Sequence, residues 1–398
     1  MNGKRDLTKK RKPIRAIYVS TYIPQKCGIA TFTKDVTNAV NLLNPHALAE
    51  IMAVVKEDEN PDFPWEVKFK IRRNDLNTYL QAADYINNSC CDVVMIEHEF
   101  GIFGGKCGEY ITPFIEAIKK PVIATYHTLI EDPKTDYGAL LTRMGNTLDG
   151  LTVMLEQSKK KLVNEYGLDK SKIAVIPHGT PDIPYSTPES YKKSKGLTGR
   201  FILGNVNLLS NNKGLEYTIE AVAEIAKTIP EVLYLIIGQT HPGILEQEGE
   251  KYRNFLKKRI KELGVNKNVR FVNEYVSLED LVVWLKTMDV YVTPYLDPQQ
   301  SSSGALAYAV GAGRACVSSP YRYAKEVLGE GRGVLVPFRD SKAIARAVIE
   351  LWENTEKKGE IQKRAYDYGR FMTWPSVGLQ HLDMFEAVIK KHNKICQK

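Results

Sequence analysis

Several short stretches carry groups able to hold a phosphate or a sugar. At 300–304 the chain reads "QSSSG" (Gln300, Ser301, Ser302, Ser303, Gly304) and runs directly into the small-residue segment "ALAYAVGAG". Serines at a helix start supply hydroxyls, and the unpaired N–H groups of the first turn complete an anion cradle. At 205–214, "NVNLLSNNKG" leaves an apolar run and opens a helical one. Lys213 in that turn can reach a diphosphate as a mobile point charge. The turn is not a P-loop, because the upstream glycine spacing and the Lys-Ser/Thr pair are absent. Near the start, "PQKCGIATF" follows an apolar run and precedes a helix, so Gly28, Ile29 and Ala30 let a ligand approach the backbone at a helix N-terminus. His98, flanked by Glu97 and Glu99 in "IEHEF", and His127 in "TYHT" each close an apolar run. Side-chain alternation sends only one face of Glu97–His98–Glu99 toward a common site. Taken singly, each feature has an ordinary structural explanation: a serine cap, a solvated lysine, a core histidine. No CxxC, HxH or HxxxH spacing supplies adjacent metal ligands, so no metal is expected.

The elements that must position these groups alternate along the whole chain. Apolar runs at 14–20, 91–99, 121–128, 151–155 and 173–179 are separated by amphipathic stretches of helical length. Such runs, apolar throughout with polar residues just past their ends, predict buried parallel strands in right-handed βαβ units. Residues 180–199 carry three prolines and no periodicity, and read as a linker. A second series follows at 201–207, 232–239, 269–275, 290–295, 315–320 and 333–338, with helices over 215–228 and 278–287. The fold class is therefore α/β, with two Rossmann-like doubly wound domains over 1–184 and 195–375 and a closing segment at 376–398. Ligands of such domains bind beyond the carboxyl ends of the strands, and a cleft between two of them is the default site.

Composition narrows the function classes. The chain has 398 residues, is 43% hydrophobic and 26% charged, and carries a net charge of +8. No apolar run approaches the roughly 20 residues that span a bilayer. The first residues, "MNGKRDLTKKRKPIR", hold no apolar segment behind their charges, so no signal peptide is expected and the localisation reads as cytoplasmic. The six cysteines then read as reduced thiols. Basic tails at both ends allow peripheral contact with an anionic membrane. Nucleic acid is not an expected partner.

Taken together, the Gly28 loop, "TYHT", "IPHGTPD", the Lys-Gly turn, "LIIG", "VYVTPY" and the stretch from Gln300 to Glu326 resemble the retaining GT-B glycosyltransferases of family 4, the glycosyl transferases group 1. The resemblance covers nearly the whole chain. It departs where that family carries paired glutamates eight positions apart, which are here Gln300 and Tyr308, and where it carries an arginine six residues before the lysine, here Asn207. Gly28, His127, Lys213 and Glu326 keep the family pattern.

The resemblance implies a GT-B fold whose last helix returns to the first domain. It also implies a hexosyltransferase that moves a sugar from a nucleotide-diphosphate donor to a saccharide or other hydroxyl acceptor, with retention and without a metal or other cofactor. His127, Lys213 and Glu326 would carry catalysis. Asn207, Gln300, Ser301, Ser302, Ser303, Gly304 and Tyr308 would join Lys213 and Glu326 around the donor, while Gly28, Ile29, Ala30, His98 and Glu99 would form the acceptor side. A tyrosine offers a ribose one hydroxyl where a carboxylate accepts from two. Two other classes stand as alternatives: a GT-B glycan phosphorylase, and a sugar-phosphate-binding protein without turnover.

Overall fold

A computed structural model of the chain describes residues 11–274 and 276–396. The chain contacts form two units: residues up to Ile176 with Val377 onwards, and Pro177–Ser376. The first contains a seven-stranded sheet with strands β1 (Ala16–Ser20), β2 (Glu50–Val55), β3 (Val67–Arg72), β4 (Val93–His98), β5 (Val122–Tyr126), β6 (Gly150–Val153) and β7 (Ile173–Val175). Their spatial order is β3-β2-β1-β4-β5-β6-β7. The second contains six strands, β8 (Phe201–Val206), β9 (Val232–Ile237), β10 (Val269–Val272), β11 (Val290–Thr293), β12 (Ala315–Ser318) and β13 (Val334–Leu335), in the order β10-β9-β8-β11-β12-β13. Every ladder is parallel. Central strands such as β4 and β9 are buried at every position, as helices on both faces of a parallel sheet require. In each sheet the strand order reverses once, between β1 and β4 and between β8 and β11, and a doubly wound sheet opens a crevice at that point.

Two strands escape the sequence reading. β3, "VKFKIR", alternates lysines with apolar residues because it is an edge strand, with both lysines exposed and only Ile71 fully buried, and β2 lies inside it. The helices Leu215–Thr228 and Leu278–Thr287 fall where the periodicity predicts them. The stretch 180–199 is more than a linker. It holds a helix, Glu189–Ser194, too short to show a period, whose Lys192 forms a buried ion pair with Asp289 at 2.7 Å. Residues 177–184, placed by sequence with the first domain, group with the second unit, where Thr180 bridges Thr373.

The helix Trp374–Cys396 carries the chain back into the first unit. The spacing of Val377, Leu379, Leu382, Phe385 and Val388 predicts one buried helix face; all are buried except Leu379, which is half-buried. Gly150 in β6 leaves room for Met384 and Val388, and Gly378 lets the helix approach Ala39. Phe385 meets Tyr18 of β1 edge-on at 6.3 Å.

Candidate functional site

In the first unit, the turn after β1 leads into the helix Gly28–Leu43, capped by Cys27, whose Sγ accepts from the Ala30 N–H. A side chain at Gly28 would meet nothing within 4 Å, so the backbone there is open to a ligand; Ile29 is half-buried and Ala30 is fully buried. Across the switch point, β4 ends on Glu97 and His98, and alternation sends them to opposite faces. His98 faces inward. It stacks on Phe103 at 5.7 Å and 13°, meets Phe100 and Tyr126, is fully buried, and has no hydrogen-bond partner at either ring nitrogen among the described residues. Burial, with a smaller contribution from His127, pushes its pKa down to about 3, so it is a neutral core histidine.

Glu97, which the sequence marks only as a flanking residue, takes the opposite face. Its Oε2 lies 2.9 Å from Nε2 of His127, and both side chains are buried. His127 follows β5, with its backbone N–H donating to the carbonyl of His98 and Phe32 packed edge-on against its ring at 4.7 Å. His381 of the last helix joins this cluster. Burial pushes its pKa down to about 4 against the pull of the Glu97 charge. Glu99 turns away, accepting from Thr128 Oγ1 at 2.6 Å and from the Phe100 N–H at 3.0 Å. Sequence reasoning missed Glu97 and His381 because their proximity to His127 is created by strand order and by the returning helix.

In the second unit the groups gather on Tyr295, just beyond β11. Its hydroxyl donates to Oδ1 of Asn207, the first residue after β8, so this bond spans the switch point. The Tyr295 ring lies 4.2 Å from Nζ of Lys213 and stacks on Tyr321 at 5.2 Å. The turn that presents Lys213 ends on Gly214 at φ 61°, where a Cβ would collide with the carbonyl of Pro294. Glycine is therefore required by both conformation and space. Lys213 is half-buried and makes no ion pair among the described residues, and the charge of Asp297 favours its protonated form. Desolvation pushes its pKa down to about 8. His241, the cap of the helix following β9, feels the Lys213 charge, which adds to burial in lowering its own pKa.

The third part of this edge is the helix Gly304–Gly311. Ser303 caps it, accepting from the Leu306 N–H at 3.3 Å, and lies beside the Tyr295 and Tyr321 hydroxyls. Ser301 and Ser303 are buried and Ser302 is half-buried. Gly304 passes His178 so closely that a Cβ would sit 2.9 Å from the ring Nε2. Gln300 donates from its side chain to the Ser302 carbonyl at 2.9 Å, bracing the loop. Tyr308 lies on the helix and is only 6% exposed, edge-on to His178 at 5.9 Å. Glu326 is half-buried on the helix Arg322–Val327 beyond β12, and its backbone carbonyl accepts from Arg332. The structure thus gathers Asn207, Lys213 and Ser303 around Tyr295, with Tyr308 set back into the packing. Among the described residues no group of three or more His, Cys, Asp or Glu side chains gathers as a metal site.

A half-buried cation with no ion-pair partner among the described residues, a capped helix start and polar groups at the carboxyl edge of a parallel sheet have the chemistry to hold an anion. Residues 187–368 match the glycosyl transferases group 1 family. The chain is 23% identical over 277 residues to a phosphatidyl-myo-inositol mannosyltransferase of Mycolicibacterium smegmatis, covering 69% of this chain and 67% of that one. Its fold is similar to that of sucrose-phosphate synthase from Thermosynechococcus elongatus, with TM-score 0.76 and 16% identity over 95% of this chain and 100% of that one. It is similar also to HepE of Anabaena in complex with UDP-glucose, with TM-score 0.72 and 16% identity over 94% and 99% of the two chains. The two Rossmann-like units thus have the GT-B fold. Among the described residues no helix is long and apolar enough to cross a membrane.

Proposed function

We propose that the protein is a glycosyltransferase that moves a hexose from a nucleotide-diphosphate donor to a hydroxyl of a saccharide acceptor, with retention of configuration. The observation that carries this reading is Lys213: a half-buried ammonium without a salt-bridge partner among the described residues, held by a glycine-dependent turn at the switch point of the second sheet. Leaving a cation desolvated costs stability, and an anionic ligand would offset that cost.

In the reaction the bond between the anomeric carbon and the donor phosphate breaks, and a bond to the acceptor oxygen forms on the same face. The departing phosphate takes the acceptor proton. Its growing negative charge is met by Lys213 and by the N–H groups at the start of the helix Gly304–Gly311, which are fixed before the reaction begins. No protein carboxylate has to act as nucleophile, in contrast to the paired carboxylates of glycosidases. Glu326 serves the donor side, Asn207 and Gln300 offer neutral hydrogen bonds, and Tyr308 fills the space of the ribose carboxylate. His127, held by Glu97, contributes on the first unit's side, with Gly28 leaving the acceptor room. No metal or other cofactor takes part.

The reading is tested by incubating the protein with UDP-glucose and GDP-mannose, with a disaccharide acceptor and without free phosphate, and following nucleoside diphosphate release. Lys213→Ala should lower kcat/KM by about 2–4 kcal/mol of transition-state stabilisation, roughly thirty- to a thousandfold. Turnover that requires added phosphate and no nucleotide would identify a phosphorylase instead.

A further inference from the structure

On the first unit, the helix Gly28–Leu43 and the chain entering β3 enclose a cavity of about 320 Å³. It is distinct from the His127 cluster. At 3.6 residues per turn, Lys34, Asn38 and Asn41 lie on the flank of the helix opposite Phe32, the residue that packs on His127. The volume falls in the lower part of the range for small-molecule sites, roughly 300–1,000 Å³.

The walls differ in chemistry in a way that selects a ligand. Glu66 is buried, with its side chain 10% exposed, and Lys34 Nζ at 2.7 Å and the Tyr22 hydroxyl at 2.9 Å both donate to its Oε1. These partners hold its carboxyl below the usual range, against the opposing effect of burial, so it is ionised. The carboxylate also accepts from its own backbone N–H, and Oε2 receives no donor from any other described residue, which leaves acceptor capacity on the cavity wall. Asn38 adds an exposed amide with both donor and acceptor capacity, while Asn41 is committed at Oδ1 to the Ala49 N–H and retains its NH2 donors. At the rim stands Trp65, an indole left 66% exposed, with the Lys68 ammonium 5.0 Å from its ring centroid. A large aromatic exposed beside a polar cavity is unusual for a residue that gains so much from burial.

A flat apolar ring, an ionised carboxylate and neutral amides are the complement of a pyranose. One face of the sugar ring presents axial C–H groups to an indole, while its edge presents hydroxyls that donate to carboxylate and exchange hydrogen bonds with amides. An anion would meet the negative charge of Glu66, and Lys34 is already engaged by that carboxylate. A cation would find a single carboxylate. We propose that this cavity is a saccharide-binding site, separate from the transfer site, which seats one pyranose residue with its ring on Trp65 and its hydroxyls on Glu66, Asn38 and Asn41.

The experiment titrates the full chain with maltose, cellobiose and mannobiose, read by indole emission and by saturation-transfer NMR of the sugar protons. The expected result is binding of at least one disaccharide at a Kd of about 1 mM, weakened tenfold or more in Trp65→Ala and in Asn38→Ala. Both are exposed positions where the fold should survive. Lys213→Met should leave this binding unchanged while abolishing the donor dependence proposed above, so the two readings fail separately. The proposal is overturned if none of the three sugars binds at about 50 mM, or if binding is equal in wild type and Trp65→Ala. It is equally overturned if binding is lost in Lys213→Met.

Discussion

Replacing Lys213 with methionine should make the protein more stable and less able to bind its donor. The ordinary lysine value of 10.5 falls to about 8 at this position because the ammonium is desolvated and only Asp297 pulls the other way. Each pKa unit corresponds to about 1.4 kcal/mol, so the charged form would be penalised by about 3 kcal/mol in the folded state. The side chain is only half-buried, and solvent screening reduces this to about 1–2 kcal/mol. Methionine fills similar volume without a charge, which should raise the unfolding midpoint of the second unit by about 2–8 °C at about pH 7. The sign of the pH dependence follows from proton uptake. Between about 8 and 10.5 the unfolded chain holds a proton on Lys213 that the folded chain has released, so wild-type stability rises with pH across that window. The advantage of Lys213→Met should therefore be full below about pH 8 and close as the pH rises toward 10.5. Thermal unfolding of both proteins across this range, with and without UDP, gives the comparison. UDP at a hundred times its Kd should stabilise the wild type by about 2.7 kcal/mol and leave the variant unshifted. An equal or lower midpoint for Lys213→Met at neutral pH, or a gap independent of pH, would refute the picture of a desolvated cation awaiting an anion.

Gly214→Ala should distort the lysine turn, since its φ of 61° and the Pro294 carbonyl both exclude a side chain. A loss of about 1–3 kcal/mol in denaturant unfolding, with donor affinity falling further than stability, is expected. Gly304→Ala would place its Cβ 2.9 Å from His178 Nε2, so His178 should be forced aside and UDP binding weakened in calorimetry, at a stability cost of about 1–3 kcal/mol. Arg314 is fully buried and donates to the carbonyls of Ala312, Met288 and Ser186, so Arg314→Met should leave three acceptors unmet. That change should destabilise by about 3 kcal/mol or more in urea unfolding. Tyr308→Phe keeps the packing against His178 and should change stability by less than about 1 kcal/mol, while a fall in UDP affinity would assign its hydroxyl to the nucleotide.

The parts of this molecule that sequence reveals are those whose signal is local. β4, β9 and β11 are continuous apolar runs because helices cover both faces, and the Lys213–Gly214 pair marks a turn that only glycine can close. The helix Leu278–Thr287 announces itself through Ser277, which caps the Asp280 N–H. What remained hidden depends on neighbours distant along the chain. His98 and Glu97 are adjacent, and only the pairing of β4 with β5 decides that the glutamate meets His127 while the histidine enters the aromatic core. Tyr295 reads as one more aromatic at a strand end until β8 and β11 lie side by side and bring Asn207 to it.

The return of the last helix gives the chain an order of assembly. Residues 177–376 are one uninterrupted stretch, whereas the first unit is made from the two ends of the chain. A nascent chain emerging from the ribosome can complete the second unit as soon as residue 376 is clear, but the first unit must wait for the residues after it. Until then, the face of β1 and β6 that receives Phe385, Met384 and Val388 stays uncovered. The half of the protein synthesised first is therefore finished last, and chains released early would expose the same apolar surface to one another.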